Sequence, residues 1–241
     1  MDSKYKNNLY IVMPAYNEEV NIEAIVKQWH PVVKKTGLKS RLVIFDDGST
    51  DNTYETMQRL EKKYSQFISI TKPNSGHGST CIFAYNYGIN SGADYIFQTD
   101  SDGQTNPDEF CKFWEKRNEF DFIIGYRKNR QDGYSRIVVT KILKILVWII
   151  FGEKIKDPNT PFRLMNVKKL EPILETVPEN FFLSNVIISL LVVKKKEKHL
   201  WLPISFKSRQ GGVNSINLKS IFKIGIKSIK DFKLVKSKIV T

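Results

Sequence analysis

Two carboxylates suited to metal chemistry lie near the middle of the chain. Asp100 and Asp102 are separated by one residue, shortly after the apolar run 95–97 and before Gly103 and Pro107. This pattern predicts a buried strand that ends in a sharp turn. Residues i and i+2 of an extended chain point to the same side, and two carboxylates on one side repel each other unless a cation lies between them.

Oxygen ligands at this density suit a hard cation. Mg²⁺ and Mn²⁺ prefer carboxylate and carbonyl oxygens, keep several waters and often bind a substrate phosphate as well. Gln104 adds an amide oxygen within reach of the pair. The stretch therefore predicts a Mg²⁺ or Mn²⁺ site that also holds a diphosphate. The alternative is an ordinary polar turn, since Asp, Ser and Gly are common turn residues.

The elements around this pair alternate between strands and helices. Strands are predicted at residues 9–13, 41–45, 67–71, 95–97 and 121–126. Helices lie between them, the first beginning at Glu18 with Asn17 as its cap and the fourth spanning 107–119. Short connections between such elements indicate a parallel sheet with helices on both faces.

Polar residues gather where each predicted strand ends. In open parallel sheets, ligands bind beyond the carboxyl ends of the strands. Five polar clusters occupy those positions, at residues 14–18, 46–49, 74–78, 100–104 and 125–127. Their recurrence favours one ligand site over five unrelated turns, and it strengthens the metal interpretation of Asp100 and Asp102.

The second half of the chain is less regular. Residues 137–151 predict an apolar helix that carries Lys141 and Lys144. At about 15 residues it is shorter than the roughly 20 that a bilayer span needs, so we expect it to be buried or to lie at an interface. Prolines in 157–163 predict an irregular loop there. A last helix, beginning near residue 214, has one apolar and one lysine-rich side.

Composition limits the class of protein. The 241 residues, 41% of them hydrophobic, suffice for one large α/β domain. The two cysteines, Cys81 and Cys111, have no metal-type spacing and are expected as free thiols in a reducing compartment. The net charge of +13 is concentrated from Lys194 onward, where 13 Lys or Arg meet only two acidic residues. Such a tail suggests an anionic partner, either nucleic acid or an acidic membrane surface.

The order of the motifs resembles a family 2 glycosyltransferase with the GT-A nucleotide-sugar fold. The matching segments are PAYNEE (14–19), DDGS (46–49), NSGHG (74–78), TDSDGQ (99–104), GYR (125–127), DPNTPFRLM (157–165) and RQGG (209–212). The later motifs most resemble the polyprenyl-phosphate sugar transferase branch, which includes relatives of dolichol-phosphate mannose synthase. The resemblance implies an α/β GT-A domain over residues 1–212. Residues 213–241 would form a basic amphipathic C-terminal helix, a candidate for membrane-surface contact.

The resemblance also implies roles for individual residues. Nucleotide binding would fall to Pro14, Tyr16, Glu18, Asp46, Asp47, Gly76 and Asp100. The divalent metal, Mg²⁺ or Mn²⁺, would be held by Asp100, Asp102 and Gln104. The acceptor or its phosphate would meet Arg127, Arg136, Arg163 and Arg209. Asp157 and Arg127 would act in catalysis, with Arg127 stabilising charge on phosphate.

Three functions follow, of which we favour the first. It is a metal-dependent inverting glycosyltransferase that moves a sugar from a UDP- or GDP-linked donor to a polyprenyl phosphate, peripherally on the cytoplasmic face of the cell membrane. The second is a soluble enzyme that extends a surface glycan on a hydroxyl, which needs a base such as Asp157. The third, a nucleic-acid-binding module, is opposed by the carboxylates at the strand ends and by the lack of a recognised motif. We therefore expect no nucleic-acid partner.

Overall fold

A computed structural model describes residues 7–128 and 134–207, together with Phe232, Val235 and Lys236. The side chains of residues 134–136 are outside this description. Arg209 and the predicted C-terminal helix at 213–241, apart from the three residues named, also lie outside the described residues. The domain boundary at residue 212 therefore stays a prediction.

A seven-stranded sheet forms the centre of the molecule, in the order β3-β2-β1-β4-β6-β5-β7. The strands are β1 (Leu9–Ala15), β2 (Arg41–Asp46), β3 (Phe67–Thr71), β4 (Tyr95–Gln98), β5 (Phe122–Arg127), β6 (Arg163–Asn166) and β7 (His199–Ile204). Strands β1 to β4 pair in parallel, as do β5 and β7, while β6 runs antiparallel between β4 and β5. The predicted mostly parallel α/β sheet is confirmed.

Helices cover both faces of the sheet. They are α1 (Glu19–Thr36), α2 (Thr53–Glu61), α3 (His77–Asn90), α4 (Phe110–Glu115), α5 (Tyr134–Phe151), α6 (Val167–Leu174) and α7 (Ser184–Lys194). Alternate residues of β1 enter two separate cores, because side chains alternate across a strand. Val12 packs with α3, α5, α6 and α7, whereas Ile11 packs with α1, α2 and α4.

Register brings the predicted polar clusters to one edge. Ala15, the last residue of β1, pairs with Asp46 at the end of β2, and Val12 pairs with Gln98 at the end of β4. The loops that leave these three strands therefore begin beside one another. Asp100, two residues beyond Gln98, lies next to the loop that follows Ala15.

One local prediction was wrong, and the irregular loop predicted at 157–163 was one residue too long. Asn17 does not cap α1; it has a positive φ of 54°, and its Oδ1 accepts a hydrogen bond of 2.9 Å from the Thr50 N–H. It thus joins the loops after β1 and β2. The segment predicted as an irregular loop ends in strand β6, which begins at Arg163. A four-residue strand that opens with a charged residue has too little periodicity to be recognised from sequence.

Helix α5 is buried on one side and exposed on the other. Leu143 and Val147 are buried in the core, whereas Ile145, Trp148 and Ile149 are 54–66% exposed. Within the described part of the chain, no helix combines the length and hydrophobicity that crossing a bilayer requires. The buried side agrees with the sequence prediction, and the interfacial alternative stays a prediction.

Residues of the predicted tail pack against this domain. Phe232 and Val235 are fully buried in the core beside α5. The Phe232 ring stacks on Phe181 and meets the edge of Phe151, with ring centroids 6.4 and 5.7 Å apart. The tail is therefore attached to the α/β domain at this point.

Candidate active site

A cleft of about 600 Å³ opens at the carboxyl edge of the sheet. The described residues that line it are Pro14, Ala15, Tyr16, Glu18, Asp47, Asn74, Gly76, His77, Asp100, Ser101, Asp102, Gln104, Arg127, Val139, Thr140, Asn159, Pro161, Asn185 and Phe206. They come from the ends of β1, β2, β3, β4 and β5, from α5 and α7, and from the segments before β6 and after β7. The expectation that the strand-end clusters form one site is thus met in the geometry.

The first loop supplies one end of the cleft. Pro14, Tyr16 and Glu18 all line it, and Tyr16 is 48% exposed with its ring available for stacking. The Glu18 carboxylate is buried and accepts a hydrogen bond of 2.6 Å from the Asn21 amide. The Ser101 hydroxyl donates to the Pro14 carbonyl at 2.8 Å, which holds this loop against the Asp100 turn.

Asp46 organises the cleft from beneath it. Its side chain is 2% exposed and is not among the lining residues described above. One carboxylate oxygen accepts from the Ser49 N–H at 3.1 Å, and the other accepts from the Thr71 hydroxyl at 2.7 Å. A direct contact with a nucleotide, predicted for Asp46, would need one of these bonds to be shared.

Asp47 holds the glycine loop in place. Its carboxylate accepts from the N–H groups of Ser75 and Gly76, at 2.9 and 2.8 Å, and pairs with the Lys72 ammonium. Burial alone would raise the pKa of Asp47, but the hydrogen bonds from Lys72, Ser75 and Thr80 hold it below its usual value. Asp47 therefore stays ionised and fixes the backbone that leads into α3.

The carboxylate pair lies on the cleft wall, as predicted. Asp100 and Asp102 both line it, and the side chain of Asp100 is 26% exposed. One Asp100 oxygen lies 3.1 Å from His77 Nε2, while one Asp102 oxygen accepts from the Gln104 N–H at 3.1 Å. The Gln104 side chain donates to the Lys207 carbonyl at 2.8 Å. Only the amide oxygen of Gln104 is thus a candidate ligand, and its metal role stays a prediction.

His77 is a site residue to which the sequence assigned no chemical role. It begins α3, lines the cleft and contacts Asp100. Its pKa lies well above the usual value, because the side chain of Cys81 and the carboxylate of Asp100 both favour the protonated ring. The sequence signal that could have identified His77 as a site residue is its position in the strand-end cluster 74–78.

Arg127 and Asp157, predicted as separate catalytic groups, are bound to each other. The guanidinium donates through Nε to Asp157 Oδ2 and through Nη2 to Oδ1, both at 2.8 Å. Both side chains are 6% exposed, and Arg127 also packs over the Phe206 ring. Arg127 lines the cleft, whereas Asp157 is not among the described lining residues. The geometry makes Asp157 a support for Arg127.

The other predicted arginines do not form one cluster. Arg163 is fully buried, and its guanidinium donates to the carbonyls of Thr160 and Asn185. Burial lowers its pKa, partly opposed by Tyr85, Cys81, Asp157 and Asp100. It does not line the cleft in the described structure. The side chain of Arg136 and all of Arg209 lie outside the described residues.

Asn185 was not recognised from the sequence. It stands in the first turn of α7 and lines the cleft, although 85 residues separate it from Asp100. No local pattern distinguishes it from other polar residues at helix starts. Only the packing of α7 across α3 brings it to the site.

Comparison with known proteins places this architecture in a family. The model of glycosyl transferase family 2 matches residues 10–184, which is more than two thirds of the chain. The chain belongs to glycosyl transferase family 2. The sequence resemblance is therefore confirmed at the level of the family.

Similar family 2 proteins include sugar transferases with a lipid-linked acceptor in their names. The undecaprenyl-phosphate 4-deoxy-4-formamido-L-arabinose transferases of Salmonella paratyphi B and Salmonella newport are each 26% identical over 168 residues. The match covers 69% of this chain and 50% of those proteins. The chain thus spans about half the length of the curated relatives that it matches.

Solved structures show the fold. Glucosyl-3-phosphoglycerate synthase of Mycobacterium tuberculosis, crystallised with Mn²⁺, UDP and glucosyl-3-phosphoglycerate, superposes with a TM-score of 0.69 at 17% identity. The alignment covers 98% of this chain and 81% of that one. Mannosyl-3-phosphoglycerate synthase of Rubrobacter xylanophilus gives 0.66 at 14% identity, over 94% and 73%. The predicted GT-A fold of this family 2 chain is confirmed.

Proposed function

We propose that the protein transfers a sugar, with inversion, from a nucleotide-sugar to a polyprenyl phosphate at an anionic membrane surface. The reaction depends on Mg²⁺ or Mn²⁺. The donor carries UDP or GDP, and the enzyme acts peripherally on the cytoplasmic face of the membrane. Membership of family 2 and the lipid-phosphate acceptors named in its relatives support the reaction class.

The observation that carries this proposal is the uneven distribution of carboxylates around the cleft. Those that line it, Glu18, Asp47, Asp100 and Asp102, belong to the loops after β1, β2 and β4. The described lining residues that come from β5, α5, α7 and the segments beside β6 and β7 form what we call the acceptor wall. None is a carboxylate; they are Arg127, Val139, Thr140, Asn159, Pro161, Asn185 and Phe206. Asp157, the nearest candidate base, is occupied by Arg127.

A wall of this composition suits an acceptor that is already ionised. A hydroxyl acceptor must lose a proton during attack, so it needs a positioned base. A phosphate monoester carries its negative charge before the reaction and needs cationic and amide groups to hold it. Arg127 and Asn185 on this wall are such groups, so the composition favours polyprenyl phosphate over a glycan hydroxyl.

The loops after β1, β2 and β4 suit the leaving group. Asp100 and Asp102 are two carboxylates of one turn that both reach the cleft, which is the donor set that a hard divalent cation prefers. They would hold the ion. Such a cation would stabilise the negative charge that develops on the departing nucleoside diphosphate. Arg127 supplies a fixed positive charge in the same cleft, and attack from the face opposite the diphosphate inverts the anomeric carbon.

The membrane component rests on α5. Its exposed side carries Ile145, Trp148 and Ile149 together with Lys141 and Lys144. Apolar and aromatic residues beside lysines are typical of helices that lie in the interface of an anionic bilayer. The same helix contributes Val139 and Thr140 to the cleft, so a membrane contact there would place the cleft close to lipid headgroups.

Two measurements test the proposal. A thermal-shift panel of UDP- and GDP-sugars, with and without Mn²⁺, should show stabilisation by one donor that requires the ion. Radiolabelled sugar from that donor should then enter a lipid extract when polyprenyl phosphate is supplied in anionic vesicles. Asp102→Asn should remove the Mn²⁺-dependent part of the shift, with Asp108→Asn, an exposed carboxylate, as the control. Transfer to a glycan hydroxyl but never to lipid would refute the proposal.

A further inference from the structure

The first turn of α7 presents unsatisfied hydrogen-bond donors to the cleft. This helix has 11 residues, and its N-cap, Leu183, has no side chain that could cap it. The N–H groups of Val186 and Ile187 donate to the Leu183 carbonyl. No acceptor for the N–H groups of Ser184 and Asn185 is present among the described residues. Free N–H groups at a helix start, together with the helix dipole, favour a negative ligand.

The side chain of Asn185 is an independent indication of a ligand. It is 2% exposed, yet it lines the cleft. Its Oδ1 lies 3.4 Å from the Tyr85 hydroxyl, whereas no described group accepts a hydrogen bond from its Nδ2. An amide donor that reaches the cleft from a nearly buried residue, without a protein partner, is open to a ligand.

The charge beneath this turn has the sign that an anion requires. Arg163 donates from Nη1 to the Asn185 carbonyl at 3.2 Å and from Nη2 to the Thr160 carbonyl at 2.7 Å. Within the described parts of the chain, no carboxylate lies within 4.0 Å of its guanidinium. A buried guanidinium held by carbonyl dipoles contributes positive potential beneath this turn, although the carboxylates of Asp157 and Asp100 act on it as well.

Two hydroxyls in the same corner also lack partners. Thr160 Oγ1 and Ser184 Oγ are buried and make no hydrogen bond. Neither residue is among the described lining residues, but Thr160 lies between Asn159 and Pro161, which line the cleft, and Ser184 precedes Asn185. Several polar groups without partners in one place distinguish this corner from an ordinary helix start.

We propose that Asn185 and the first turn of α7, above Arg163, form the subsite for the phosphate monoester of the acceptor. The inference rests on the proposed function, since it assigns a place to the acceptor of that reaction. The subsite is assigned to the acceptor because Asn185 belongs to α7, whereas the donor diphosphate and its cation are assigned to the loops after β1, β2 and β4, which carry Asp100 and Asp102. Asn185 is the contacting side chain, and Arg163 is a positioning residue that acts through it.

The test introduces a negative charge with almost no change of shape. Asn185→Asp replaces the free amide donor by a carboxylate oxygen, and Asn90→Asp makes the same change at an exposed position at the far end of α3. A short-chain prenyl monophosphate, the matching prenyl alcohol and inorganic phosphate are titrated in the presence of UDP and Mn²⁺. Binding is followed by ligand-linked thermal shift, and KM is measured for donor and acceptor separately.

We expect Asn185→Asp to weaken binding of the prenyl monophosphate, and to raise its KM, by at least about tenfold, because like charges would then meet. UDP binding should change by less than about twofold, since a subsite for the acceptor does not hold the donor. Asn90→Asp should match the wild type in every titration. Equal loss of UDP and monophosphate, or no loss of either, would overturn the inference.

Further measurements distinguish a failure of the subsite from loss of folding and from failure of the proposed function. If circular dichroism shows that Asn185→Asp is unfolded, Asn185→Ala removes the donor without adding charge and should weaken the monophosphate alone, by about threefold to tenfold. An unchanged monophosphate affinity in a folded Asn185→Ala would contradict the subsite. Wild-type protein that binds prenyl monophosphate but transfers no sugar to it refutes the proposed function and leaves the subsite intact. Transfer to lipid with an unaltered acceptor KM in Asn185→Asp refutes only the subsite.

Discussion

The ion pair between Arg127 and Asp157 gives the sharpest test of how this cleft works. If Asp157 removes a proton from the acceptor, Asp157→Asn should stop catalysis and leave the fold unchanged. If Asp157 holds Arg127, the same substitution should weaken the fold and act on catalysis only through Arg127. The two hypotheses therefore predict different changes in the stability of the fold and a different dependence of the Asp157→Asn effect on Arg127.

The expected loss of stability follows from burial. Both side chains are 6% exposed, and two bonds of 2.8 Å join them. Removing one partner of a buried pair costs about 3–5 kcal/mol, because the other charge stays buried. Asparagine keeps one acceptor oxygen, so we expect the lower end, about 3 kcal/mol. For a protein of this size that corresponds to a fall in Tm of roughly 6–12 °C.

A double-mutant cycle separates the catalytic hypotheses. The rates of wild type, Asp157→Asn, Arg127→Gln and the double variant are compared under saturating donor. Because Asp157 acts through Arg127, Asp157→Asn should have little further effect on kcat once Arg127 is replaced. A general base would instead contribute about 10²–10⁴-fold whether or not Arg127 is present.

The control and the refuting result are both accessible. Asp108→Asn removes an exposed carboxylate and should leave Tm and kcat unchanged. If Asp157→Asn lowers kcat by more than a hundredfold in both backgrounds and keeps the wild-type Tm, Asp157 is the base. The acceptor would then be a hydroxyl, and the proposed transfer to a lipid phosphate would be wrong.

Three further outcomes are expected. Gly78→Ala should lower the free energy of unfolding, measured by urea denaturation, by about 3 kcal/mol or more, because its Cβ would lie 2.2–2.3 Å from backbone carbonyl oxygens. The control Gly92→Ala, at a residue with a φ of 77° and open space around it, should lower it by only about 1–2 kcal/mol. Equal costs would contradict that packing. Trp148→Glu should abolish sedimentation with anionic vesicles at unchanged Tm, while the control Leu38→Glu, at another exposed residue, should still sediment. Vesicle binding that persists in Trp148→Glu would exclude α5 as the membrane contact. Phe232→Ala should destabilise the domain by about 3–5 kcal/mol, and a neutral result would mean that the tail does not pack there.

Much of the site could be predicted from the sequence because it follows the sheet. An apolar run marks each of the predicted parallel strands, and these strands all end at the same edge of the sheet. The polar clusters that follow those runs therefore meet at that edge. Asp100 and Asp102 are placed correctly for this reason. The same argument placed Gly76 and Tyr16 on the cleft without any knowledge of distances.

The roles of single charged residues were less predictable. Asp46, Asp47 and Arg163 look like ligand-binding groups in the sequence, yet the carboxylates of the first two hold loops and Arg163 is fully buried. The charge of a residue and its position along the chain do not determine which group its side chain binds. That depends on backbone groups from distant segments, such as Ser75 for Asp47.

The sequence by itself determined the family, the α/β fold and the edge of the sheet at which chemistry takes place, because apolar periodicity and strand-end clusters are local properties. Only the tertiary structure decided which groups are available there. It joined Asp157 to Arg127 across 30 residues and brought Asn185 in the first turn of α7 into the cleft. Such contacts depend on how β6 and α7 pack against β4 and α3, and no short segment of the chain encodes that packing.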